Sequence, residues 1–339
     1  MKFLVGIDAG GTNTVCGLLD GRGNLLHKIQ EPTEAHLGYE QVIDKIARMV
    51  KSLLASEQIA PGQVLAVGIG NPGLVDPDRG LVRFAGNLGW RDVEVVKLLQ
   101  NRLNIPVFAD NDVRMYAFGE AIRGAGRGYD HVLAITLGTG IGAAMVNQGQ
   151  MYYGSGFMAG EIGHIRMDGE QAPCACGMYG CLETVASATG IVRQVREAIA
   201  NGKSSLLQSW FPGENLCKIT AADVSKAYDA GDAVAVEVLQ HTGKLLGKAL
   251  SYAVSLFSPD VIVIGGGVAR AGERLLHPAR EELKRFVYKG YWARLTIRTA
   301  TLLDDAGVIG SGLLARQRLE EASPAQLHQH QRNGNREEK

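Results

Sequence analysis

Three short segments of this chain hold residues whose types and spacing suit chemistry rather than packing. Asp8-Ala9-Gly10-Gly11-Thr12 follows an apolar run, and Gly138-Thr139-Gly140-Ile141-Gly142 follows another. Successive backbone N–H groups in such turns can converge on phosphate oxygens, and glycine lets the backbone come close. Asp8 is a carboxylate suited to hold Mg²⁺ through water, a cation that usually keeps several waters. An ordinary Gly-Gly hairpin is the competing reading of either turn alone. Two such turns in equivalent places point to a polyphosphate gripped twice. Gly265-Gly266-Gly267 gives a third place where a nucleotide base or ribose can lie against backbone. No Walker A or dinucleotide fingerprint appears, which argues against a P-loop enzyme and a dinucleotide-dependent dehydrogenase.

The third segment is polar. Asn111-Asp112 follows a strand, Gly160-Glu161-Ile162-Gly163-His164 sets a carboxylate and an imidazole three residues apart, and Glu183 stands two residues past Cys181. Asn, Asp, Glu and His together offer the fixed donors and acceptors that a neutral polyol needs. Taken singly, Asp112 reads equally as a helix N-cap, and Glu183 as a solvated carboxylate. Cys174, Cys176 and Cys181 fall within eight residues of one another. With His164 they make a Cys₃His set of the closed, structural zinc type. The alternative is a trio of free thiols. Cys16 and Cys217 stand alone and read as apolar fillers.

The elements that position these residues are legible from periodicity. Phe3–Ile7, Val15–Asp20 and Leu25–Ile29 read as an antiparallel meander. Tyr39–Ser56 is apolar at helical period, Val64–Ile69 a strand, Val93–Leu103 a helix and Val107–Ala109 a strand end. Val132–Leu137 and Ala143–Asn147 repeat the strand, glycine turn, strand order, ahead of a helix over Ala233–Leu256 and a strand over Val261–Ile264. This predicts an internal duplication: two α/β domains with a central cleft. The expected boundaries are a smaller domain over 1–112, completed by a C-terminal helix near 305–318, and a larger one over 113–304 with its zinc loop at 164–183. A disordered tail is expected over 320–339.

Bulk properties narrow the class. The chain has 339 residues, with 35 Lys plus Arg against 35 Asp plus Glu. A net charge of zero gives no field that attracts nucleic acid or an anionic membrane. No apolar run reaches the length of a membrane span, and the N-terminus, broken by Asp8 and glycines, is no signal peptide. A cytoplasmic protein with no membrane or nucleic-acid partner is expected. The 44 glycines are about twice the average share, and they cluster in turns.

The motifs resemble the ROK family (repressors, open reading frames, kinases), within the actin, Hsp70 and sugar-kinase fold. The carrying residues are Asp8-Ala9-Gly10-Gly11-Thr12, Asn111-Asp112, Leu137-Gly138-Thr139-Gly140-Ile141-Gly142, Gly160-Glu161-Ile162-Gly163-His164 and Cys174 through Glu183. The resemblance runs from Phe3 to about Arg316. It implies an ATP-dependent sugar kinase of the actin-like ATPase (ribonuclease H-like) type, with ATP and Mg²⁺ as cofactor and a structural Zn²⁺. It also implies roles. Asp112 would be the general base on a hexose hydroxyl, and Asn87, Asn111, Glu161, His164 and Glu183 would bond the other hydroxyls. Asp8, Gly10, Gly11, Thr12, Gly138, Thr139, Gly140, Gly266 and Gly267 would bind nucleotide. His164, Cys174, Cys176 and Cys181 would hold the zinc. A homodimer, or a tetramer, is implied as well. Glucose leads as substrate, with N-acetylhexosamine, fructose or allose as alternatives; Leu74, after Pro72-Gly73, offers an acetamide no polar partner. The family's sugar-responsive repressors carry a DNA-binding segment ahead of the phosphate turn. Asp8 stands too near the start for one, which disfavours that reading. A conformational ATPase would not need Glu161, His164 and Glu183. The turn at Gly140 is expected to serve nucleotide only, so that changing it leaves sugar binding intact.

Overall fold

The computed structural model describes residues 2–322. Among the described residues two compact units are formed: the first from 2–128, 151–158 and 304–322, the second from 129–150 and 159–303. Of the tail expected to be disordered from 320, residues 323–339 lie outside the described residues; the last helix itself reaches Glu321.

The first unit begins with β1 (Phe3–Ala9), β2 (Asn13–Asp20) and β3 (Leu25–Pro32), followed by α1 (Tyr39–Ser56) and β4 (Val64–Asn71). A small sheet of β5 (Leu74–Asp76), β6 (Leu81–Ala85) and β7 (Trp90–Val93) comes next, then α2 (Val95–Leu103), β8 (Val107–Asn111) and α3 (Asp112–Arg123). The main sheet runs β3-β2-β1-β4-β8. β1 pairs antiparallel with β2 and parallel with β4. The apolar stripe of α1, Val42, Ile43, Ile46, Met49, Val50, Leu53 and Leu54, is wholly buried. α2 starts two residues later than its periodicity suggests, because Val93 closes β7 after Asp92 turns at φ 51°.

The second unit holds β9 (His131–Leu137), β10 (Ile141–Asn147) and β11 (Gln150–Tyr152). After a loop come α4 (Glu183–Ala186), α5 (Ala188–Ala200), α6 (Leu206–Trp210), α7 (Ala221–Asp229) and α8 (Ala233–Phe257). β12 (Val261–Gly265), α9 (Glu273–Phe286), α10 (Lys289–Trp292) and β13 (Thr296–Thr299) complete it. Its sheet runs β11-β10-β9-β12-β13. β9 pairs antiparallel with β10 and parallel with β12, as β1 does with β2 and β4. The duplication expected from the sequence is therefore present strand by strand.

The last helix, α11 (Ala306–Glu321), returns to the first unit and packs on β1, β4 and α3. Glycines let it lie backbone to backbone. A Cβ at Gly6 would stand 1.8 Å from the Val308 carbonyl oxygen, and one at Gly68 1.9 Å from that of Ser311. In the helix, a Cβ at Gly310 would meet the Met115 oxygen of α3 at 1.7 Å. Side chains there would force the helix off the sheet, the overpacking case. β1 and β4, covered on both faces, accordingly read as continuous apolar runs.

Candidate active site

In the first unit the Gly10-Gly11-Thr12 turn joins β1 to β2. The Gly10 N–H donates to the Asn13 oxygen at 3.0 Å. Thr33 braces the turn from β3's end: its N–H donates to the Thr12 oxygen at 2.8 Å and its hydroxyl to the Gly10 oxygen at 2.6 Å. Thr14 Oγ1 lies 2.9 Å from Thr33 Oγ1, and both side chains are buried. These two threonines were not singled out in the sequence, because nothing local marks a brace 19 residues away. Asn87, in the β6–β7 turn, lies against the same loop, since a Cβ on Gly11 would stand 3.0 Å from its Cβ.

Asp8 ends β1 beside this turn. Burial, and secondarily the negative charge of Asp112, pushes its carboxyl up to about 7. α11 presses on it; a Cβ on Gly307 would come within 2.7 Å of Oδ2. Because this pKa lies above the unfolded value, ionising Asp8 costs the folded state. That penalty is absent below about pH 4 and grows as pH rises through 7. Metal-free Asp8→Asn is therefore expected to melt above the parent at pH 8 and not at pH 4. An equal difference at both pH values would reject this.

Asp112 opens α3. The N-cap is its neighbour: Asn111 Oδ1 accepts from the Arg114 N–H at 3.2 Å. Asp112 is thus free of capping duty. Its Oδ1 accepts from the Val113 N–H and from Asn111 Nδ2, each at 2.9 Å. Asn111 Nδ2 also donates to the Gly73 oxygen at 3.0 Å. Burial raises the Asp112 carboxyl above its ordinary value, opposed by these donors and by the Arg114 charge.

In the second unit, Gly138-Thr139-Gly140 makes the β9–β10 hairpin turn. The Gly138 N–H donates to the Gly140 oxygen at 2.9 Å, and the Gly138 oxygen accepts from the Ala188 N–H of α5 at 2.8 Å. The Ile141 N–H, next in line, donates to Glu183 Oε2 at 2.9 Å. A Cβ on Gly140 would stand 2.7 Å from that same oxygen. The turn therefore touches Glu183, the carboxylate expected to bond a sugar hydroxyl. If Glu183 and this turn have the roles expected of them, Gly140→Val should displace the Glu183 carboxylate and weaken sugar affinity along with nucleotide affinity, read by calorimetry with each ligand separately. Unchanged glucose affinity would restore the simpler view.

The Gly160–His164 segment lies flat on β10. A Cβ at Gly160 would meet the Ala143 oxygen at 1.9 Å and one at Gly163 the Ile141 oxygen at 2.4 Å, so only glycine fits at either place. That packing leaves Glu161 exposed and His164 partly so, with His164 Nε2 3.8 Å from Glu161 Oε2. The other ring nitrogen, Nδ1, lies 3.6 Å from Cys174 Sγ. Cys176 Sγ lies 3.7 Å from Cys181 Sγ, and the four ligand atoms fall within 4.8 Å of one another. A tetrahedral ion with bonds of about 2.3 Å to sulfur and about 2.0 Å to nitrogen sets its ligands roughly 3.5–3.8 Å apart. The donor set and spacing fit zinc. Without a cation the thiols resist joint ionisation: burial first, then its two neighbours, pushes Cys181 up to about 12.

Gly266 (φ 84°) is packed on Leu137, where a Cβ would come 2.4 Å from the carbonyl oxygen. Gly267 faces open space and, with Val268, Ala271, Ala221 and Ile191, lines a largely apolar cavity of about 190 Å³.

The family model for the ROK family matches residues 4–318. The chain is 39% identical over 317 residues to a glucokinase of Halalkalibacterium halodurans, covering 93% of this chain and 96% of the relative. It is 35% identical over 320 residues to a glucokinase of Thermotoga maritima, covering 93% and 98%. Among solved structures it is similar to a ROK family glucokinase from Streptomyces griseus in complex with glucose and AMPPNP, with a TM-score of 0.78, 34% identity and coverage of 93% and 99%.

Proposed function

The chain belongs to the ROK family, and from that premise we propose that it transfers the terminal phosphoryl group of ATP to a hydroxyl of glucose, giving glucose 6-phosphate. It is a sugar kinase with the actin-like ATPase fold. The observation that carries the residue assignment is Asp112: a part-buried carboxylate of raised pKa, held by two donors and spared the capping role.

In this reading Asp112 accepts the proton of the attacking hydroxyl. Its raised pKa makes it a better base at neutral pH. Asn87, Asn111, Glu161, His164 and Glu183 bond the remaining hydroxyls, and zinc, when bound, fixes the His164 ring. The backbone N–H groups and Thr12 of the first turn, with the turn at Gly138–Gly140, hold phosphate oxygens. The cavity beside Gly267 takes the base. Asp8 would hold Mg²⁺, an ion that would supply charge neutralisation to the phosphates and favour the ionised form of that carboxyl. Phosphoryl transfer needs such positioning and charge neutralisation more than covalent chemistry.

Two further assignments go with the proposal. The protein works in the cytoplasm; no helix among the described residues is long and apolar enough to cross a membrane. It works as a homodimer, a reading supported by Leu256, Phe257, Phe286 and Tyr288, exposed at the C-terminal ends of α8 and α9.

A panel of hexoses and N-acetylhexosamines in a coupled ADP-release assay tests the proposal. Glucose should give the highest kcat/KM, and ATP turnover without sugar should be negligible. An N-acetylhexosamine preferred over glucose would replace the substrate, and sugar-independent turnover would favour a conformational ATPase.

A further inference from the structure

Residues 151–158 belong to the first unit, although the chain on both sides of them belongs to the second. Three of the eight hold positive φ: Gly154 at 65°, Gly156 at 64° and Phe157 at 62°. For a bulky residue such as Phe157 the left-handed region is strained, and the strain persists only where surrounding contacts impose it.

The contact that imposes it comes from Arg114, two residues past Asp112. Arg114 Nη1 donates to the Phe157 oxygen at 3.0 Å, Nη2 to the Val75 oxygen at 3.3 Å, and Nε to Asp110 Oδ1 at 2.5 Å. Asp110 is two residues before Asp112. Its Oδ1 also accepts from the Asn111 N–H at 2.7 Å, and its Oδ2 accepts from the Tyr153 hydroxyl at 2.7 Å. The Tyr153 ring lies 5.4 Å from the Arg114 guanidinium and 5.1 Å from that of Arg318 in α11, with Phe157 edge-on at 5.8 Å. Asp110 and Arg114 are 1% and 5% exposed.

A buried ion pair is weak evidence for stability, since apolar residues of similar volume often serve as well. This pair is notable for its place. It brackets Asp112 on both sides, and its carboxylate fixes the N–H of Asn111, whose own side chain donates to Asp112 and caps α3. We propose that Tyr153, Asp110 and Arg114 are positioning residues through which the 151–158 strap sets the aim of the Asp112 carboxylate. The proposal rests on Asp112 being the base. None of the three touches substrate; each acts through the strand end and the first turn of α3. Since a misplacement of about 1 Å can cost on the order of 10²-fold in rate, loosening the relay should appear chiefly in kcat; of the assigned sugar contacts only Asn111 is tied to it, so KM should move less.

Tyr153→Phe removes one hydroxyl and leaves the ring against both guanidiniums. It should lower kcat by on the order of 10-fold, with KM for ATP within about twofold and KM for glucose moving less than kcat. Arg114→Lys, which cannot make all three bonds in the same fork geometry, should lose at least as much. The decisive measurement is a double-mutant cycle. On an Asp112→Asn background Tyr153→Phe should cost nothing further, because the group it aims is gone. An unchanged kcat in Tyr153→Phe, or the same fold-loss on the Asp112→Asn background, would show a structural hydroxyl and overturn the proposal while leaving the base in place. Full activity in Asp112→Asn alone would remove the base itself, and the relay with it.

Discussion

Asp112→Asn is expected to lower kcat by about 10²–10⁴-fold, the usual share of a positioned general base, while glucose affinity stays near that of the parent. The substitution is nearly isosteric. Asn keeps an oxygen for the Val113 N–H and the Asn111 amide, the two donors that hold the present side chain at 2.9 Å each. What is lost is the basic lone pair and a negative charge in a part-buried place. Removing that charge also relieves Asp8, whose carboxyl is partly raised by it, so the variant should fold and melt no lower than the parent. Rates from ADP release, paired with glucose titration by calorimetry, separate chemistry from binding. A rate within about twofold of the parent, far outside the range for such groups, would take Asp112 out of the role.

The second large effect is expected from the metal loop. Cys174→Ala combined with Cys176→Ala removes two of four ligands, and purified protein should fall from about one zinc per chain, as a closed four-ligand site holds, to none. Glucose affinity should fall with it. His164 then has no ion to fix its ring, and Glu183, two residues past Cys181, loses the loop that carries it. Ordering two such side chains on binding costs about 0.5–1.5 kcal/mol each, on the order of 10–100-fold in affinity. Glu183 remains tied to the Ile141 N–H, so nucleotide affinity should drop less. The readouts are metal content and calorimetry with glucose and with nucleotide, neither of which needs turnover. Metal-free parent protein with normal glucose affinity would show that packing alone holds the loop.

How much of this was legible in the sequence depended on whether the information was local. α1 was read to the residue because its apolar stripe has one buried face and full helical period. The Cys₃His set was legible because three ligands fall in one loop. α3 was legible only through the alternative reading of Asp112 as a helix N-cap, with no span assigned to it. It is covered on more than one side, with Arg114, Met115, Phe118, Gly119 and Glu120 all buried, so no stripe stands out. The small β5-β6-β7 sheet was missed because its strands are short and two of its turns hold no apolar alternation. The relay through Asp110 and Tyr153 was invisible for another reason: its partners stand 43 residues apart, and each reads locally as an ordinary polar residue.

The return of α11 to β1 and β4 sets a schedule for the growing chain. The strands of the first unit are made early, and the helix that covers one face of them is made last. At about 5–20 residues per second, the stretch from 129 to 305 takes roughly 10–35 s to synthesise. Through that interval Gly6 and Gly68 face no helix backbone, and Gly307 does not yet press on Asp8. The nascent chain therefore carries an apolar sheet face that needs shielding, and Asp8 lacks the neighbour that α11 later gives it.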